Sequence, residues 1–405
     1  MAKRSSPTTT TISARQARLL LLGAQGLLDD PVQPCRPAAL RKRIERMGFV
    51  QLDTISTIER AHHLILHSRF DDYEPSTLAT LHEKKRALFE QFTHDASYVP
   101  TTWLRYWLPR FDWTYEHPWW EARRTKEFER VVDHVLQRLT EEGPLTSRDF
   151  AHERDEQRGG WWDWKPAKTA LEYLWRIGKL AIARRVNFQK VYDLMERVHP
   201  EIIEFERPGE AEVTDWACTS ALERLIVATP AELAGFWNTI KLPAARQWCK
   251  RAVAEGRVVP ATVEPLNSSK PKPGVALPDW QKRCKRLPEA PDRARFLAPF
   301  DPVLRDRDRA LRLFNFDYRF EAFTPAKQRR FGYYVLPLLH RDQLVGRADM
   351  KTHRDRGELV VNHLYWEPGV RVTKRIRSEM KEALERLSAL VGADCWSIAA
   401  ESVRD

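Results

Sequence analysis

Three stretches, RIERMGFVQLD, YLWRIGKLAIARR and RAVAEGRVVPATV, share one local syntax: a helix-period run, a glycine, then a β-rich run. In each, the glycine (Gly48, Gly178, Gly256) sits where a helix C-cap requires positive φ, and the residues after it alternate as a strand does. Helix, glycine, strand is the second half of a winged helix. The repeat therefore predicts an α+β chain built on three tandem winged-helix (helix-turn-helix) motifs. A chain of 405 residues with 42% apolar content has room for two or three domains, each with its own core.

The middle copy is the most complete. A long amphipathic run places Phe128, Val131, Val132, Val135, Leu136 and Leu139 on one face and stops at EEGP. LTSRDF (145–150) reads as a short second helix, and WKPAKTALEYLWRIG as a third, with Ala167, Leu171, Leu174 and Ile177 inward and Lys165, Lys168 and Arg176 outward. LAIARRVNFQKVYDL alternates on both sides of a turn near Asn187, the pattern of a two-stranded wing. A third helix of this kind can lie along a DNA groove while Arg184, Arg185 and Lys190 of the wing touch phosphates. In the third copy, TPAEL is a capping box with Thr229 as cap and Glu232 reaching back, and Arg246, Lys250 and Arg251 come after it on the last helix, facing phosphate or solvent.

These patterns divide the chain into a disordered leader (1–12), a first winged helix (13–116), a second (117–205) and a third (206–262). A proline-rich connector (263–295) and a C-terminal region (296–405) complete it. In the last region FDYRFEAF, YYVLPLLH, QLVGRADMKTH and ELVVNHLYW predict an antiparallel sheet. Val372, Ile376, Met380, Leu384 and Leu387 mark a closing helix over it.

Lys and Arg outnumber Asp and Glu by 67 to 56, a net charge of +11 that favours a polyanionic partner, nucleic acid first. No apolar run approaches the roughly 20 residues that span a bilayer, and no apolar stretch comes after the two basic residues of MAKRSSP to make a secretory signal. A cytoplasmic protein without membrane contact is expected. The five cysteines are odd in number and widely spaced, as in a reducing compartment, and the adjacent His62 and His63 have no ligand partner at zinc spacing. Neither a metal nor a cofactor is implied, nothing requires a dimer, and a monomer is expected.

If Gly48 ends the third helix of the first copy, residues 49–55 become its wing strand, and period-two geometry puts Gln51 and Asp53 on one face. An amide and a carboxylate could then meet one atom beside DNA. By pattern alone, a solvated strand face is the favoured explanation of the pair.

AQGLL (24–28), VQLDTIS, HLILHSR (63–69), HDASYVP (94–100), GWWDWKPAK (160–168), APFDPVLRDR (298–307) and YYVLPLLHRDQLVGRADMK (333–351) carry a resemblance over nearly the whole chain. It resembles the winged-helix DNA glycosylases of the YcaQ type, which remove alkylated purines and unhook interstrand crosslinks. Their catalytic signature is glutamine, an apolar residue, then aspartate or glutamine. The resemblance implies Gln51 and Asp53 as catalytic residues, His94 and Ser97 near the lesion, and double-stranded DNA with alkylated or crosslinked purines as partner. The aspartate form looks like the branch with broader crosslink unhooking.

The chemistry suits these residues. Breaking an N-glycosidic bond builds positive charge on the deoxyribose and needs a water on the face opposite the departing base. An ionised Asp53 can stabilise that charge and accept the water's proton, while Gln51 can hold the same water. N7-alkylguanine is already cationic and departs neutral, so a second carboxylic acid is not required. Water as nucleophile leaves an abasic site and forms no Schiff base. A crosslinked base cannot rotate freely into a closed pocket, so an open channel is expected. The Trp residues (103, 107, 113, 119, 120, 161, 162, 164) lie beside basic residues but fit core packing in most cases. The alternative from another class is a non-catalytic winged-helix transcriptional regulator, which would prefer a defined site. A nuclease fits least, because no clustered carboxylates would hold a metal pair.

Overall fold

The computed structural model describes residues 9–150, 164–267 and 270–403. They belong to two compact units, one of Met1–Pro75 with Thr214–Asp405, the other of Ser76–Val213.

The first unit begins with strand β1 (Thr10–Ile12), inside the stretch expected to be a disordered leader; residues 1–8 lie outside the described residues. Helix α1 (Ala14–Ala24) opens on a capping box formed by Ser13 and Gln16. Helix α2 (Pro37–Met47) ends on Gly48 at φ 100°. The wing strand expected over 49–55 is reduced to β2 (Val50–Gln51). It stops because the Asp53 carboxylate accepts the Ile55 backbone amide at 2.7 Å, a local bond that closes a turn instead of a ladder. Helix α3 (Ala61–His67) comes next.

In the second unit, β3 (Leu88–Phe92) and β4 (Ala96–Pro100) form an antiparallel hairpin. Helix α4 (Lys126–Glu142), capped by Thr125, leads to β5 (Leu145–Thr146), α5 (Trp164–Arg176), β6 (Leu180–Val186) and β7 (Gln189–Leu194). The expected apolar stripes do meet: Val135 and Leu139 of α4 pack with Leu171, Leu174 and Trp175 of α5 and with Ile182 and Tyr192 of the hairpin. The second helix expected over 145–150 is absent. Asp149 Oδ2 accepts from both the amide and the hydroxyl of Thr146, at 2.6 and 2.8 Å, which fixes a turn. The β6–β7 hairpin turns through Asn187 and Phe188, at φ 48° and 67°, the double positive φ that matches strand twist. Trp175 Nε1 donates to the Glu90 carbonyl and Gln91 Nε2 to the Trp175 carbonyl, both at 2.9 Å, tying β3 to α5.

The chain continues with α6 (Glu210–Leu225), β8 (Val227–Ala228), α7 (Pro230–Trp237), α8 (Leu242–Ala254), β9 (Val259–Val263) and β10 (Pro273–Ala276). Strand β10 pairs antiparallel with β9 and β8, and β1 joins β9 in parallel. Residues 273–276, expected in a connector, therefore form a strand of this sheet. Its capping box is present: Thr229 Oγ1 accepts the Glu232 amide, and Glu232 Oε2 accepts the Thr229 amide at 2.7 Å. Glu232 also faces Arg309 and Arg312 of helix α9 (Arg307–Phe314). Burial alone would raise its pKa, but these two guanidiniums and the backbone donor bring it down to about 2.

The C-terminal sheet orders β11 (Ala294–Phe296), β12 (Val335–His340), β13 (Gln343–His353), β14 (Glu358–Trp366) and β15 (Cys395–Ile398), with β16 (Glu401–Val403) also on β14. Its first three pairings are antiparallel, whereas β15 and β16 run parallel to β14. FDYRFEAF (316–323) is not a strand. Phe316 and Tyr318 are buried, Tyr318 donates to the Val335 carbonyl at 2.8 Å, and Glu321 accepts the amides of Arg330 and Phe331, so side chains rather than a ladder anchor it. Helix α10 (Lys374–Val391) buries Met380, Leu384 and Leu387, with Ile376 half-buried and Val372 before its start. Among the described residues no helix is long and apolar enough to cross a membrane, and all five cysteines are free.

Candidate active site

The glutamine and aspartate of QLD occupy the end of β2 and the turn after it. Phe49, 2% exposed, anchors the start of this stretch against Phe236 and Trp237, at 5.4 and 5.7 Å between ring centroids. Gln51 and Leu52 are buried and Asp53 is half-buried. The strand that was expected to make Gln51 and Asp53 co-facial ends at Gln51; Asp53 takes its orientation from the turn.

Beyond that turn, the chain is held by the C-terminal sheet. Thr352 of β13 donates its amide to the Thr57 carbonyl at 2.9 Å and its hydroxyl to the Ile58 carbonyl at 3.1 Å. Arg354 donates to the carbonyls of Ser56 and Ile58 at 3.1 and 2.8 Å, and its guanidinium lies 3.7 Å from Glu59. Tyr334, just before β12, is fully buried. Burial first, then the charge of Asp53, hold its phenol well above the ordinary tyrosine pKa, with smaller contributions from Tyr318, Glu59 and Tyr333. Sequence reasoning assigns no role to Tyr334, Glu59, Thr352 or Arg354; of these only Tyr334 lies in a segment that carries the family resemblance, and the bonds of Thr352 and Arg354 to residues 56–58 join positions almost 300 apart.

Other segments of that resemblance build a scaffold. Arg69 of HLILHSR and Asp301 of APFDPV form a fully buried ion pair, with Arg69 Nη2 and Asp301 Oδ1 3.0 Å apart. Arg69 also donates to the carbonyls of Gln25 and Ile65, and Gln25 Nε2 donates to the Arg224 carbonyl at 3.0 Å. His63 Nδ1 meets the Tyr73 hydroxyl at 2.7 Å, and burial lowers its pKa to about 4, so the ring is neutral at physiological pH. Among the described residues no group of three or more His, Cys, Asp or Glu is placed to hold a metal ion.

His94 and Ser97 lie in the second unit, at the tip of the β3–β4 hairpin. His94 is exposed, with Nδ1 3.1 Å from the Thr93 hydroxyl. Ser97 is fully buried, its hydroxyl donating to the Asp95 carbonyl at 3.0 Å within the turn.

The DNA-contact candidates divide by placement. Lys168 and Arg184 are exposed, as are Arg246, Lys250 and Arg251 of α8; the side chain of Lys165 lies outside the described residues. Arg176 and Lys190 both reach Glu172, at 2.8 and 3.1 Å, and Lys190 lies 3.6 Å over the Trp175 ring, with a pKa lowered by burial. Arg185 differs from its expected outward position: it faces Glu90, with Nε 2.8 Å from Oε2 and side chains 12% and 0% exposed. Alternation separates these neighbours: Arg184 and Arg185 point to opposite faces of β6, and only Arg184 is exposed. The tryptophans also divide. Trp107 and Trp120 are core, and Trp161 and Trp162 lie outside the described residues. Trp113 and Trp119 are about half exposed and line a cavity of about 920 Å³ with Trp120, Arg110, Lys168 and Arg176.

A family profile described as DNA glycosylase AlkZ-like matches residues 44–390, which include QLD, the Arg69–Asp301 scaffold and β12 to β14. Among solved structures, the chain is similar in fold to a Streptomyces sahachiroi DNA glycosylase, AlkZ, at 14% sequence identity. That match has a TM-score of 0.62 and covers 96% of this chain and all of the other.

Proposed function

This chain belongs to the AlkZ-like DNA glycosylase family, and from that premise we propose that it is a monofunctional glycosylase that hydrolyses the N-glycosidic bond of N7-alkylguanine-type purines in duplex DNA and unhooks interstrand crosslinks. The observation that carries the reading is a half-buried carboxylate, Asp53, fixed by a turn immediately after Gln51 and continued by a loop anchored to β13. In this reading, Asp53 accepts a proton from the attacking water and stabilises the cationic deoxyribose, and Gln51 orients that water. The bond from C1′ to the base breaks with its electron pair entering the alkylated ring, which leaves neutral. The proposed site needs no metal and no cofactor, and its product is an abasic site.

The second and third repeats serve as winged helices on the DNA backbone, with exposed Lys168, Arg184, Arg246, Lys250 and Arg251 as phosphate contacts. Such contacts give little sequence preference and steep salt dependence. A regulator would instead select a defined site, and it gives Asp53 nothing to do. The protein acts as a monomer on chromosomal DNA.

Duplex DNA containing N7-methylguanine, or a nitrogen-mustard crosslink, should be cleaved after alkali treatment and not before. Asp53→Asn should lower single-turnover excision at least about 100-fold while DNA affinity changes little. Excision by Asp53→Asn at the wild-type rate would remove Asp53 from the mechanism.

A further inference from the structure

Of the five large aromatic side chains that are exposed among the described residues, three fall within positions 113–119: Trp113, Tyr115 and Trp119, each about half exposed. Single exposed apolar residues need no explanation, but aromatic surface gathered in one place marks a binding surface. Two of the three, Trp113 and Trp119, line the cavity of about 920 Å³, and all of its described lining belongs to the second unit. Both indoles are held in place by an aromatic neighbour. Trp113 sits edge-on to His117, with 4.9 Å between ring centroids, and Trp119 edge-on to the buried Trp120, at 4.3 Å. Another wall is one face of α5, where Lys168, Glu172 and Arg176 are spaced by four. Periodicity reads that face as turned toward a DNA groove; in the structure it lines a concavity. With Arg110, Arg148 and Lys190, the described lining carries five basic side chains against one carboxylate. That carboxylate, Glu172, is already met by Arg176 and Lys190, at 2.8 and 3.1 Å. The cavity therefore presents net positive charge beside exposed indoles.

Resting on the reading of DNA as the partner, we propose that this cavity is a binding site for unpaired DNA: one or two nucleotides released from the duplex enter it, their bases stacking on Trp113 and Trp119 and their phosphates meeting Lys168, Arg110 and Arg148. The charge selects a polyanion, and the indoles select among polyanions. Inside a duplex both faces of every internal base are covered by its neighbours, so a paired strand offers phosphate alone. Only an unpaired base brings a free π-face. The volume agrees, because cavities of about 300–1,000 Å³ hold molecules of nucleotide size, whereas reading a duplex takes a helix that protrudes into the groove. Stacking on an aromatic side chain also tolerates any sequence, as a repair enzyme requires. The site has a use in the proposed reaction. A base tied to the opposite strand cannot rotate out alone, and pairs opened around it leave nucleotides of the kind this cavity takes.

The test uses the full-length protein and three labelled DNAs of one sequence: a paired duplex, the same duplex opened by a short central mismatch, and the single strand. Fluorescence anisotropy reads binding, and quenching of 2-aminopurine at an unpaired position reads stacking. Wild type should favour the opened duplex over the paired one by at least about fivefold, the yield of one stacked base, and should quench the probe. Trp113→Ala should lose both the preference and the quenching while its affinity for the paired duplex stays within about twofold. Trp113→Phe, which keeps a ring face, should retain part of both. Should Trp113→Ala melt early, Trp119→Ala, on a separate helical turn, should show the same loss of preference. A wild type that binds paired and opened duplex alike, or alanine variants that keep the preference and the quenching, overturns the proposal. Excision of N7-methylguanine from the paired duplex is measured alongside. Excision without a preference for unpaired DNA removes this site and leaves the glycosylase reading standing, preference without excision does the reverse, and no binding to any of the three DNAs overturns both.

Discussion

Counted from their glycines, the first and second repeats diverge at the third and fifth positions. After Gly48 these are Gln51 and Asp53; after Gly178 they are Ala181 and Ala183, both buried in a strand that runs on to Val186 and returns as β7. The third repeat resembles the second, with Val259 and Ala261 at the same positions of β9. Small apolar side chains leave the backbone free to pair, so the strand continues into a hairpin. An aspartate at the fifth position captures a backbone amide two residues on, and the strand stops. The residues proposed for the chemistry therefore lie where the repeated pattern is broken.

The sharpest way to probe the regular copies is through the arginines of the second. Arg185→Ala would leave Glu90, whose side chain is fully buried, as an unpaired charge, and should destabilise the second unit by about 3–5 kcal/mol. Its exposed neighbour, Arg184→Ala, should shift stability by less than about 0.5 kcal/mol but reduce the salt dependence of DNA binding by about one unit of slope. Chemical denaturation of the two variants, paired with binding at several salt concentrations, separates the roles. Equal stability of the two would mean that the wing carries no buried ion pair.

Legibility in the sequence tracks the range of the interactions. Helices α4, α5, α8 and α10, and strands β13 and β14, are encoded by periodicity within a dozen residues, and the sequence reads them almost to their ends. Errors occur where a side chain bonds its own backbone, as Asp53 and Asp149 do, or where alternating aromatics pack on a sheet without joining it, as at 316–323. Arg185 is read as outward from its charge, whereas alternation turns it away from its exposed neighbour Arg184 and onto the buried Glu90. In the site, Gln51 and Asp53 are legible only through the resemblance. Tyr334 and Thr352 are not, because nothing local ties them to residues 51–58.

The third copy differs from the second in joining its capping box to a buried ion cluster, and acid should expose that difference. Glu232 titrates near 2 in the folded protein against an ordinary value of 4.5. As pH falls below 4.5, the unfolded chain binds this proton while the folded one does not, so stability is lost progressively down to about pH 2 and is fully present above 4.5. The loss assignable to this group is roughly 3 kcal/mol. It should emerge as the difference between wild type and Glu232→Gln in denaturation curves taken from pH 5 to pH 2. A constant difference across that range would mean that Arg309 and Arg312 do not hold the carboxylate.

The smallest effects come from the glycines that define the repeat. Gly178 and Gly256 both have φ 72°, so alanine at either position incurs the left-handed penalty of about 1 kcal/mol. Their surroundings differ. A Cβ at Gly178 would lie 2.3 Å from the Phe111 ring, and Phe111 is itself 5% exposed, whereas a Cβ at Gly256 meets nothing within 4 Å. Overpacking then adds to the backbone term only at Gly178, for a total of roughly 2–3 kcal/mol against about 1 at Gly256. Thermal or urea denaturation of Gly178→Ala and Gly256→Ala reads the gap directly. If both lost the same amount, the glycine of the second copy would be there for its backbone angle alone, and the packing of Phe111 onto the end of α5 would not depend on it. A wider loss at Gly178 would mean that the syntax shared by the repeats is maintained for two physical reasons: a positive φ at both positions, and close approach of a neighbouring helix in only one.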